Sequence, residues 1–134
     1  MGWFTLRPDH AKVASKIAEI ESEMKRIGIW QEQPLPHEQI EIKTAFGQGQ
    51  MSFEQWLQFV FITNVKQIIV TKGKFPTESH VSEQAFREWV AWGSEENAKQ
   101  LLDLLYQFDA LFGWALWGLF QKLDEFIDHK LGKR

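Results

Sequence analysis

Four histidines, His10, His37, His80 and His129, are the side chains of this chain best suited to hold a metal or move a proton, and their spacing gathers none of them. Glu125 and His129 stand one helical turn apart at i,i+4, but a metal ion needs more ligands than such a pair supplies, so a surface pair is expected there. Cysteine is absent, which removes disulfides and thiolate-based zinc or iron–sulfur sites. The stretch "FGQGQ" has two glycines but neither the length nor the following Lys and Ser/Thr of a phosphate loop, and reads as a turn. No serine or threonine sits in a nucleophile elbow or a lysine-assisted motif. The expectation is a non-enzymatic protein with no metal and no cofactor.

Two polar residues stand where apolar ones are expected. Asp109 falls among Leu102, Leu105 and Leu116, and a buried carboxylate needs a partner, for which Lys66 and Arg87 are the candidates. Gln58 interrupts the run "WLQFVFI" in the same way. Satisfied core groups are the ordinary reading of both. The alternative is a pocket around Trp56, Gln58 and Asp109 that takes a small ligand or substrate.

The elements that must position these residues belong to a chain of 134 residues, 44% hydrophobic and 25% charged, which suits one folded domain over 1–134. A formal net charge of −3 offers no footprint for a phosphate backbone, so direct nucleic-acid binding is not expected. The start "MGWFTLRP" lacks the layout of a signal peptide, and Leu6 occupies the place where a myristoylation signal wants Ser or Thr. With no cysteine, a reducing compartment, the cytoplasm, is the expected location.

Val13, Ile17, Ile20, Met24 and Ile27 alternate spacings of four and three and predict a helix between Pro8 and Gly28. Asp9 caps it, Gly28 and Ile29 close it in a Schellman ending, and Lys12, Lys16, Glu19, Glu23 and Lys25 form its solvated face. Residues 30–50 read as a long irregular connection in which Trp30, Leu35, Ile40, Ile42 and Phe46 pack, with Ile40 and Ile42 alternating as in an extended segment. Ser52 with Gln55 forms a capping box, and Met51 staples onto Trp56, opening a second helix with no clean polar face. That helix ends at Lys72, Gly73 and Pro76, with Gly73 as the left-handed residue. A short helix is expected from about Ser82 to Trp92 with Ala85, Phe86, Trp89 and Val90 inward. Ser94 caps a last helix that could run to about Leu131, about 55 Å at 1.5 Å per residue if Gly113 and Gly118 do not bend it. The fold class is all-α, four-helix-bundle-like with a long C-terminal helix.

Within that last helix, residues 110–120 are apolar or glycine without interruption. The run is about half of the ~20 residues a membrane span needs, so no transmembrane segment is expected. Setting Asp103, Gln107, Gln121 and Glu125 outward puts Ala110, Trp114, Trp117 and Gly118 on the same face. An outward pair of indoles implies a partner surface, either a second copy in a dimer or higher homo-oligomer, or another protein. The competing readings are that Trp3, Phe4 and Leu6 fold across it, or that the helix lies on a membrane surface.

The stretch "MSFEQWLQFVFI" resembles the YqcC-like family of small bacterial proteins, whose pattern is close to F-x-x-D-T-M, four residues, then W-L-Q-[WF]-V-[LF]-I-P-R-M. Phe46, Met51, Trp56, Leu57, Gln58, Phe59, Val60, Phe61 and Ile62 match it, and "IWQEQPLP", Phe75-Pro76 and "LLYQFDALF" with Asp109 agree in order. Gly49-Gln50 and Thr63-Asn64-Val65 depart from it, and 113–134 reads as a helical extension beyond a resemblance that covers about Ala11 to Phe112. The resemblance implies a compact bundle of about four helices without an established activity. Members carry a label of association with a tRNA pseudouridine synthase, although this chain lacks the α/β pattern and catalytic Asp motif of such enzymes. The leading expectation is an interaction protein, self-associating or an accessory subunit, and the alternative is an accessory factor in tRNA modification.

Overall fold

The computed structural model describes residues 9–112, and among them the chain is all-α with no strand. Helix α1 (His10–Arg26) begins where the Asp9 carboxylate accepts the Ala11 N–H at 2.7 Å. It ends in a full Schellman closure: Gly28 takes φ +81°, Gly28 N–H donates to Lys25 O, and Ile29 N–H donates to Met24 O. Val13, Ile17, Ile20 and Met24 are buried, as their spacing requires. Glu23 departs from the expected solvated face: it is 8% exposed and holds Arg26 through two hydrogen bonds of 2.8 and 2.6 Å.

The connection that follows is irregular but not extended. Ile40 closes a single helical turn, α2 (His37–Ile40), while Ile42 lies exposed beyond it. The expected strand-like segment therefore does not form, since among the described residues there is no second strand to accept its hydrogen bonds. Leu35 is buried, and Gln50 ties the loop together by accepting from Lys43 N–H and donating to Glu41 O. A 3-10 turn (Ala45–Gly47) follows, in which Phe46 adopts φ 54°.

The central rod is continuous in backbone conformation over 53–71: α3 (Phe53–Trp56), a π-helical turn (Leu57–Ile62) and α4 (Thr63–Thr71). Its capping box is complete, Ser52 Oγ accepting from Gln55 N–H and Gln55 Oε1 from Ser52 N–H. Met51 and Trp56 both crowd Gly47 at that start. At the far end Lys72, not Gly73, takes the left-handed conformation (φ 55°), with Gly73 N–H donating to Ile68 O at 2.9 Å.

Helix α5 (Val81–Glu88) tightens into a 3-10 turn (Trp89–Trp92). Part of the expected inward face is reversed: α5 turns Val81, Ser82, Gln84 and Ala85 to the core, so Phe86, about 100° on from Ala85, is 59% exposed, Val90 is 70% exposed, and Trp92 is the inward residue at 3%. Gly93 makes the corner at φ 105°. Helix α6 (Glu95–Asp109), the long helix near the C-terminus, starts on Ser94, whose hydroxyl accepts from Asn97 N–H. Its last bonds, Leu111 N–H to Phe108 O and Phe112 N–H to Asp109 O, form a turn, so this helix closes at Asp109, four residues before Gly113, where a bend was expected.

Helix α1 packs on α6 and α4, and α5 packs on α6. Between them lie Val13, Ile17, Ile20, Met24, Leu57, Ile62, Leu101, Leu105 and Phe108, each 2% exposed or less. Such side chains contribute about 1.5–3 kcal/mol apiece relative to exposure. Polar links fix the helices' register at the surface. Lys66 Nζ reaches Glu21 at 2.6 Å, and Lys16 Nζ donates to Gln107 at 2.6 Å. Lys66 is therefore engaged with Glu21 and not with Asp109.

Candidate functional site

The residues of the W-L-Q run point three ways because consecutive helical positions diverge by about 100°. Leu57 is fully buried in the core. Phe59 is half-buried. Gln58, 6% exposed, faces the loop: its Oε1 accepts Gln31 N–H at 2.8 Å and its Nε2 donates to Gln31 O at 2.7 Å. The carboxamide thus imitates a strand neighbour, satisfying both backbone groups of a loop residue that no secondary structure serves. Gln55 adds a bond from its Nε2 to Gln31 Oε1.

Trp56 belongs to a chain of rings. It stacks on Phe53 (5.7 Å) and Phe61 (5.8 Å) and meets Phe46 edge-on at 4.9 Å. Phe61 continues to Phe108, Phe108 to Phe112, and Phe112 to Phe75, whose other side carries the His10 ring at 4.7 Å. In the other direction Phe53 reaches Trp92, whose Nε1–H donates to Glu54 at 3.1 Å.

Asp109 is fully buried at the end of α6. Neither Lys66 nor Arg87 pairs with it; Arg87 reaches Gln84 instead. The partners are the opening of α5 and the residues before it: Ser79 Oγ donates at 2.5 Å, Val81 N–H at 3.1 Å and Ser82 N–H at 2.7 Å. The carboxylate is an N-cap supplied from another helix, and it meets the positive end of α5. Burial is the largest influence on its acidity and holds the carboxyl above the ordinary range, while Ser79, Ser82 and Val81 pull it back down. Sequence reasoning anticipated the burial but sought a cation, because a cap supplied by a distant segment leaves no local signature.

An apolar groove of about 280 Å³ opens beside the ring chain. Phe46, Trp56, Phe61, Ile68, Phe75 and Phe112 are among its lining residues, with Asn64, Glu78 and His80 also on its wall. His80 is held by Glu78 at 3.0 Å and Glu83 at 3.3 Å, and the Glu78 contact is the main reason its pKa is raised. Of the residues expected to share a pocket, Trp56 lines this groove, whereas Gln58 and Asp109 do not. Ile68 and Phe75 were missed as groove residues, since only the tertiary fold brings them beside Trp56. Of the expected partner face, Ala110 is exposed; Trp114, Trp117 and Gly118, with Trp3, Phe4 and Leu6, lie outside the described residues, as does the Glu125–His129 pair.

Among the described residues no group of three His, Cys, Asp or Glu side chains could hold a metal ion, and no helix is long and apolar enough to cross a membrane. A family model described as "DUF446: tRNA pseudouridine synthase C" matches residues 12–111. No curated protein and no solved structure matches the chain.

Proposed function

This chain belongs to the DUF446 family, and on that premise we propose that it is a non-enzymatic helical module that binds protein, as a self-associating or accessory subunit in the cytoplasm. The observation that carries the reading is the open groove walled by Trp56, Phe61, Ile68, Phe75 and Phe112. Its apolar lining suits the apolar face of a helix or short segment. The Ser79 hydroxyl on its wall donates to the Asp109 carboxylate, where it acts as part of a helix cap. The most buried carboxylate, Asp109, spends its oxygens on the amides and hydroxyl at the head of α5. A cysteine-free chain fits a reducing compartment.

The test is purification of the native protein from its own cells, followed by reconstitution with the purified partner. Ile68→Glu, at a half-buried groove position, is expected to weaken that complex at least tenfold while leaving the fold intact. Equal affinity of the variant and the parent would refute the groove as the binding surface.

The description of the family favours a second reading, an accessory role in tRNA modification. It predicts tRNA binding that requires the partner synthase and weakens as salt rises. Unaltered synthase activity and tRNA affinity on adding this chain would remove it.

A further inference from the structure

The groove lies where the described chain stops. Phe112 is its last residue, 4% exposed, and its ring stands on the groove wall between Phe108 at 5.0 Å and Phe75 at 5.8 Å. The next residues, "GWALWGLF", are the most apolar in the chain and carry two indoles. Eight residues reach between about 12 Å as a helix and about 28 Å extended. Either length can lie along a groove of this size starting from its own rim. Apolar rings leaving Phe112 find an apolar wall beside them, and burying an indole there removes large area from water.

We infer that residues 114–120 of the same molecule occupy the Trp56–Ile68–Phe75 groove, with Trp114 and Trp117 as the anchoring rings. The inference rests on the groove being a binding surface, as proposed above, and adds that the protein carries its own occupant. A partner helix then gains access by displacing it. The amino-terminal segment is the weaker competitor: His10 also touches Phe75, but "RPD" separates α1 from the nearest large apolar residue, Leu6.

Photo-crosslinking of the full chain tests this, with p-benzoylphenylalanine placed at Ile68 and, separately, at Asn64 on the exposed rim, which guards against a poorly folded Ile68 variant. Isotopically light and heavy protein are mixed before irradiation. The expected product joins the probe to a peptide from 113–122 within one copy, and Trp114→Ser with Trp117→Ser reduces its yield at least fivefold. A product joining light to heavy copies would overturn the intramolecular form while leaving the groove a binding surface. A product with residues 1–8, or none with 113–122, would overturn the inference outright. Loss of partner binding in Ile68→Glu is read separately, so the two claims can fail independently.

Discussion

The Gln58 side chain and the Gln31 backbone form a closed two-bond pair, at 2.8 and 2.7 Å, that fastens the loop after α1 to the π-helical turn of the central rod. Replacing Gln58 by Leu keeps the volume but strands the Gln31 N–H and C=O in a partly buried setting. The expected cost is about 2 kcal/mol, in the range for unsatisfied buried groups. Urea midpoints measure it, and a variant equal to the parent would show that the loop finds other partners.

Asp109 is expected to be more sensitive to substitution by an apolar residue than by asparagine. Leucine leaves three donors of 79–82 unmet, a loss of about 3 kcal/mol, whereas asparagine keeps an acceptor oxygen and loses roughly half as much. Equal losses for the two would mean that packing, not capping, sets the cost.

The pH response follows from opposite shifts. The Asp109 pKa is raised, chiefly by burial, so the folded state binds more protons than the unfolded one between the two pKa values. Its contribution is full below the unfolded value of about 4 and is lost as pH rises through the folded value. Glu21 is lowered, first by its hydrogen bond to Lys66, so its contribution is present above the unfolded value and lost as pH falls through the folded one. Chemical denaturation across acid to neutral pH is expected to show Asp109→Asn losing the decline on the rising side and Lys66→Met losing part of the acid-side decline. Parallel curves for all three proteins would refute both assignments.

Lys72 holds a left-handed backbone (φ 55°) at the end of α4. An L residue there costs about 1–2 kcal/mol that glycine does not, less the extra freedom glycine gains when unfolded. Lys72→Gly is therefore expected to raise the thermal midpoint by a few °C. A lower midpoint would show that the lysine side chain contributes more than its backbone costs.

The outward phase of α5 gives a further check. Phe86→Ala and Val90→Ala should each change stability by less than about 0.5 kcal/mol in the monomer, as exposed positions do. Trp92→Ala should cost about 3–5 kcal/mol, the range for a buried ring. A large effect at Phe86 or Val90 would indicate that a second copy covers them.

How much was legible in the sequence depended on the range of the forces involved. Asp9, Ser52 with Gln55, Gly28 and Ser94 act within one turn of their own helix, and each stands where its spacing placed it. The family resemblance likewise rested on residues inside the span that the family model matches. Phe86 and Val90 were misplaced because the buried face of α5 carries the polar Ser82 and Gln84 beside Val81 and Ala85, so apolar residue type alone sets the wrong phase. Ile40 and Ile42 alternate like a strand, but a strand needs a neighbour that this chain does not provide among its described residues. The Asp109 cap and the Gln58 clamp join segments 27 to 30 residues apart, and the groove needs the whole bundle.

Phe75 touches His10 at the opening of α1 and Phe112 at the close of α6. One ring thus serves as a shared doorstop for the first turn of α1 and the turn that closes α6. Amide hydrogens in the first turn of α1 and the last turn of α6 should therefore exchange with solvent as a single cooperative unit. Trimming Phe75 to alanine should let the two ends fray independently.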